Sequence, residues 1–132
     1  MTLVVDASVA VPACLSVEGF ALLPERDLVA PALLWSETLS ALRSLLWRGE
    51  ITAADADAAR EALERCPVRH IDDDRLAAEA WQIAEELGWA KTYDAEYVAL
   101  ARLLGCHVVT LDARLRRGAD RLGLVVSVGE LL

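Results

Sequence analysis

Short apolar runs alternating with helix-period stretches constrain this chain more than any other feature. Residues 3–5, 28–30, 68–71, 107–111 and 124–126 read as strands, and residues 3–5 are apolar and uninterrupted, with β-branched Val4 and Val5. Such a run suits a central strand buried on both faces. Between the strands lie helical patterns over residues 8–15, from Pro31 to about Arg48, from Thr52 to just before Pro67, from just after Asp72-Asp73-Asp74 to Gly88, and from Tyr93 to Leu104. This alternation predicts an α/β fold with a five-stranded parallel sheet flanked by helices. The punctuation agrees. Pro31 suits a first helical position, Thr52 with Asp55 forms a capping-box pattern, and Gly49, Gly88 and Gly105 stop helices. No repeat, low-complexity tract or linker interrupts the pattern, so residues 1–132 read as a single domain.

The apolar fraction is 55% without glycine, above the roughly 45–50% of ordinary domains with glycine counted. Disorder is thereby excluded, and the excess is assigned to both faces of the sheet and to an oligomer surface. No apolar run reaches the roughly 18 residues of a membrane span, and no basic leader precedes the first strand. The expectation is a cytoplasmic protein that does not engage a membrane. Cys14, Cys66 and Cys106 lack paired or metal-ligand spacing and read as reduced core or boundary residues. The four tryptophans read as packing residues, and His70 and His107 as structural strand histidines. A formal net charge of −8 excludes a broad basic nucleic-acid footprint. It suits a basic protein partner instead.

Four acidic residues stand in distinctive contexts. Asp6 and Asp112 end strand-like runs, Asp94 opens a helix, and Glu37 borders an apolar helical stripe between Leu34 and Ala41. Asp6, Asp94 and Asp112 could each be only a helix cap, and Glu37 only a solvated face residue. Asp6 and Asp112 nevertheless fall on the carboxyl edge of a parallel sheet, where sites form. Four carboxylates drawn together there would repel one another unless divalent cations neutralised them. That arrangement points to Mg²⁺ or Mn²⁺ and to phosphodiester chemistry. Ser8 and Thr110, two residues from an acid in each case, can hydrogen-bond carboxylates or metal-bound water. Asp72-Asp73-Asp74 is denser but reads as a cap with solvated neighbours. Arg114, Arg116 and Arg117 follow Asp112 closely enough to reach a flanking phosphate, and Arg43 is a further candidate beyond Glu37. Arg121 reads as solvated surface.

The blocks Val4-Val5-Asp6-Ala7-Ser8, Trp35-Ser36-Glu37, Tyr93-Asp94-Ala95-Glu96-Tyr97-Val98-Ala99-Leu100-Ala101 and Val109-Thr110-Leu111-Asp112-Ala113-Arg114-Leu115 resemble the motifs of PIN-domain nucleases. More narrowly, the chain resembles VapC toxins of bacterial toxin–antitoxin pairs, over essentially its whole length. The resemblance implies a PIN-like fold and an endoribonuclease dependent on Mg²⁺, with Mn²⁺ able to substitute. It makes Asp6, Glu37, Asp94 and Asp112 the catalytic and metal-binding quartet, supported by Ser8 and Thr110. It also implies an RNA substrate, a homodimer, and a toxin–antitoxin hetero-oligomer in which a basic C-terminal arm of the antitoxin enters the acidic groove. Residues 17–27, with Gly19 and Pro24, are shorter and less helical than the helix expected there. Two other PIN-like roles are a catalytically weak protein-binding module and a non-toxin ribonuclease of RNA processing. A phosphotransferase with Asp6 as nucleophile is disfavoured, because Ser8 stands where a second Asp would act as acid/base.

Overall fold

The computed structural model describes residues 1–23 and 26–131. Five strands, β1 (Thr2–Val5), β2 (Asp27–Ala30), β3 (Arg69–His70), β4 (His107–Thr110) and β5 (Val125–Ser127), form one sheet in the order β3-β2-β1-β4-β5. Every neighbouring pair runs parallel. The α-helices are α1 (Ala7–Leu15), α2 (Leu33–Trp47), α3 (Ala53–Glu64), α4 (Leu76–Leu87), α5 (Tyr93–Leu104), α6 (Ala113–Gly118) and, after the last strand, α7 (Val128–Leu131). The chain builds outward from β1 to β3, then crosses back to place β4 on the other side of β1. The strand order therefore reverses between β1 and β4, and the crevice outside their carboxyl ends is where such sheets bind ligands.

β1 is central because its residues tolerate no water on either face: Val4 and Val5 are fully buried, as are Val108 and Val109 of β4 beside them. Helix α5 lies against β1 and β4. Its buried Ala95, Ala99 and Ala101 let the backbone approach the sheet, while Val98 and Leu100 fill the space between. A smaller cluster of Cys14, Leu42, Ala59 and Leu63 seals α1, α2 and α3 together. Helices α4 and α5 are clamped by Arg102, which donates to Glu79 at 2.6 Å and to Glu86 at 2.9 Å.

The punctuation works as its chemistry requires. Thr52 and Asp55 form both bonds of the capping box, and Gly88 and Gly105 take the left-handed conformation that closes α4 and α5. Pro31, expected at a first helical position, instead precedes α2 by two residues. The chain enters that helix through a tighter turn, with Leu34 and Trp35 N–H bonding to the carbonyls of Pro31 and Ala32. The strand expected over residues 68–71 pairs only at Arg69 and His70, as befits an exposed sheet edge. Trp47 and Trp81 are 79% and 69% exposed, so they are not core residues. Trp35 packs partly under the surface, edge-on to His70 with ring centroids 5.9 Å apart. In residues 17–27 a 3₁₀ turn spans Gly19–Leu22, while Pro24 lies outside the described residues. Among the described residues no helix is long and apolar enough to cross a membrane.

Candidate active site

Asp6 stands where β1 gives way to α1, at the reversal of strand order. It is the N-cap of α1, its side chain accepting the Val9 N–H. Its carboxylate Oδ1 also accepts the Ser8 hydroxyl at 2.7 Å, and Oδ2 accepts the Thr110 hydroxyl at 2.6 Å. The Ser8 and Thr110 oxygens lie 3.0 Å apart. Each hydroxyl has one proton, and both protons are directed at Asp6. The same oxygens accept backbone N–H bonds from Leu111 and Asp112, at 2.9 and 3.0 Å. Two hydroxyls thus stitch the end of β1 to the end of β4 through one carboxylate.

Asp6 is only 5% exposed, and burial pushes its carboxyl from an ordinary 3.8 up to about 6. The bonds from Thr110, Ser8 and Val9 pull the other way, and the Asp112 charge adds to the rise. Asp112 caps α6, its Oδ1 accepting the N–H groups of Arg114 and Leu115 at 2.9 and 3.3 Å. Asp94 is not a cap. It is the second residue of α5, behind Thr92 at the N-cap. Among the described residues its half-buried carboxylate makes no hydrogen bond, and burial together with the Asp112 charge raises its pKa, while Arg114 lowers it. Glu37 enters from α2, its Oε1 accepting the Tyr97 hydroxyl at 2.5 Å. Tyr97 is 1% exposed. Burial, then the Glu37 bond and charge, hold its phenol far above the ordinary value of 10, with Asp6 and Asp94 adding to the effect.

The acids therefore share one field. Asp112 acts on both Asp6 and Asp94, and Glu37, Asp6 and Asp94 all act on Tyr97. None of the four forms an ion pair among the described residues, although ion pairs elsewhere engage Asp27, Asp73 and Glu86. A fifth acid, Glu96, joins them: burial and the Glu37 charge raise its pKa. A cleft of about 610 Å³ opens beside Glu37 and Asp94, bounded by Trp89, Lys91, Tyr93 and Arg114. The Trp89 indole is seated on Gly118, where an added Cβ would come within 3.3 Å of it.

Among the described residues, no three His, Cys, Asp or Glu side chains are close enough to form a ready-made metal cage. The donor set is all carboxylate oxygen, and Asp94 has no hydrogen bond to give up among the described residues. Such a set fits a hard cation that keeps several waters and takes few direct protein ligands, as Mg²⁺ does.

The arginines divide. Arg114 faces the acids. Arg116 is turned away, paired with Glu130 at 3.0 Å and with Asp120, so its guanidinium is already engaged. Arg117, in the last turn of α6, has no ion pair among the described residues. Arg43 lines separate grooves between α2 and α3 and along α2. Six residues beyond Glu37 is about 240° around a helix, which carries it off the Glu37 face. Arg121 donates to the Glu86 carbonyl. Asp73 caps the turn into Arg75, as expected of a cap, and also pairs with its guanidinium. No role was assigned from the sequence to Tyr97, to Glu96, or to Trp89, Lys91 and Tyr93 of the cleft wall, whereas Arg114 was already a candidate. For Tyr97 a signal existed, since it lies three residues beyond Asp94 and so on the same helical face.

The PIN domain family matches residues 3–121. A VapC ribonuclease of Mycobacterium bovis, Mb0985, is 40% identical over 115 residues, spanning 86% of this chain and 87% of that protein. Ribonuclease VapC3 of Mycobacterium tuberculosis is 40% identical over 88 residues, 67% of this chain and 62% of its own length. Among solved structures, PAE2754 from Pyrobaculum aerophilum superposes with a TM-score of 0.76 at 25% identity, covering 99% of this chain and 95% of that one. FitAcB from Neisseria gonorrhoeae shares the fold with a TM-score of 0.62 at 21% identity, covering 96% of each chain.

Proposed function

Because this chain belongs to the PIN-domain family and, within it, to the VapC group, we propose that it is a metal-dependent endoribonuclease serving as the toxin of a toxin–antitoxin pair. One observation supports the reading: Asp6 and Asp112 stand at the ends of β1 and β4 where the strand order reverses, the Asp112 charge acts on both Asp6 and Asp94, and among the described residues no ion pair neutralises these acids or Glu37. An arrangement that repels itself is retained where a cation and a polyanion are to be brought together.

Asp6 and Asp94 would hold Mg²⁺ or Mn²⁺, with Asp112 close by and Glu37 across the cleft. A bound divalent ion supplies positive charge against the phosphodiester oxygens and acidity to the attacking water. The chain's own residues do the rest. Ser8 and Thr110 hold the Asp6 carboxylate in one orientation through two short bonds. Glu37, tethered through Oε1, presents its other oxygen to accept a proton or orient water. Arg114 offers a phosphate contact at the cleft, and Tyr93, 56% exposed beside Asp94, offers a face on which an unpaired base can stack. The cognate antitoxin would close this cleft with a basic C-terminal arm, and the toxin would act as a homodimer.

The test is cleavage of a structured RNA at low salt with Mg²⁺ or Mn²⁺. Asp94→Ala should lower the rate by at least about 100-fold with an unchanged melting temperature. A variant that cleaves at the wild-type rate would remove Asp94 from the chemistry.

A further inference from the structure

We propose that Tyr97 is a positioning residue for RNA cleavage, its hydroxyl holding the Glu37 carboxylate in place across the cleft from Asp94; this rests on the ribonuclease reading above. The geometry begins with helix α5. Asp94 and Tyr97 are three residues apart, so both look from one face of that helix toward the carboxyl edge of the sheet. Asp94 is half-buried at the mouth of the cleft, whereas Tyr97 is 1% exposed and is among the largest fully buried side chains of the molecule. A phenol so deep needs a partner for its O–H. It finds one in Glu37, sixty positions earlier, at 2.5 Å.

This bond bridges elements that otherwise touch little. Helix α2 packs against α1 and α3, and α5 packs against α4, β1 and β4. Among the described residues the Tyr97–Glu37 bond is the one side-chain hydrogen bond joining α2 to α5. Glu37 has three rotatable side-chain bonds and, among the described residues, no ion pair to restrain it. Without the tether its carboxylate would sample several rotamers, each directed differently relative to Asp94. The tyrosine ring is locked by core packing, so its hydroxyl is a fixed point from which the Glu37 head hangs. One oxygen is held, and among the described residues the other accepts no hydrogen bond at the cleft that Glu37 lines. Supporting donors of this kind set the orientation of a carboxylate that meets an ion or water, and their loss typically costs about 10–100-fold in activity or affinity. Misplacement of a reacting group by about 1 Å costs a similar factor.

The test uses Tyr97→Phe in the full chain, which keeps the buried ring and deletes only the hydroxyl. With Mg²⁺ and a cleavable RNA, kcat should fall about 10–100-fold while KM stays within about threefold. The same change is then made in a Glu37→Gln background. If Tyr97 acts through Glu37, it costs less than about twofold there, because the group it positions is already lost. A loss of stability common to both backgrounds cancels in this comparison. Unchanged kcat in Tyr97→Phe, or losses that multiply in the double variant, would overturn the inference. Should the wild-type chain cleave no RNA, the ribonuclease reading fails by itself, and the tether is judged by Mn²⁺ affinity in calorimetry. Tyr97→Phe should then bind about tenfold more weakly than wild type, and equal affinity would dismiss it.

Discussion

On the reading proposed above, the Asp6 carboxylate must be both buried and charged. Ordinary stability favours its neutral form, since burial raises it to about 6, whereas cation binding favours the ionised form. The sign follows from linkage. A carboxyl whose folded pKa lies above its unfolded value of 3.8 stabilises the fold fully below that value. The contribution is lost as pH rises through about 6. In chelator-treated protein, Asp6→Asn should therefore gain on wild type in denaturant unfolding between about pH 4 and pH 7, by roughly 3 kcal/mol at most. It should lose RNA cleavage at the same time. A stability difference that stays constant across that window would mean that Asp6 is not strained by burial. Asp6 and Asp112 were recognisable from their strand ends and caps, whereas the partner of Glu37 was not. Nothing local to Glu37 announces a phenol sixty positions away.

At the level of elements, α6 sorts the arginines by direction rather than by proximity. Arg114 and Arg116 are two residues apart, roughly 200° around a helix, so they cannot share a face. Arg114 meets the cleft, while Arg116 ties α6 to Glu130 of α7 and to Asp120. Arg114→Ala should weaken RNA binding and flatten the slope of log affinity against log salt by about one. Arg116→Ala should leave that slope unchanged and lower the melting temperature instead. Equal slopes for Arg114→Ala and wild type would return Arg114 to the solvent. The sequence alone treats these arginines as equivalent, because distance along the chain from Asp112 is nearly the same for each. Helices α4 and α5 were legible nearly to the residue, because Gly88 and Gly105 relieve the left-handed strain at their ends.

The whole molecule carries a formal net charge of −8 and yet, on the reading proposed here, acts on a polyanion. Long-range attraction would then favour a basic protein over RNA, leaving substrate approach to local charge at Arg114 and Lys91. A peptide copying a basic antitoxin arm should bind more weakly as Mn²⁺ is raised, since arm and ion compete for the same carboxylates. It should also bind more weakly to Asp94→Ala. An arm that binds equally well with and without the ion, measured by calorimetry, would place it outside the acidic cleft.

Read alone, the sequence determined the sheet, its helices and the four acids worth considering. Those properties are local: β-branched runs exclude water, glycines end helices, and an acid after a strand caps the next turn. What only the tertiary structure decided was which side chains face one another. Register placed Val5 beside Val109 and so brought Thr110 to Asp6 across 104 positions. Helical phase carried Arg43 and Arg116 away from the cleft. Core packing sent Tyr97, from α5, to Glu37 on α2. Each outcome depends on the angle and depth at which elements dock, and these are set by the packing of the whole core rather than by the residues adjacent in sequence.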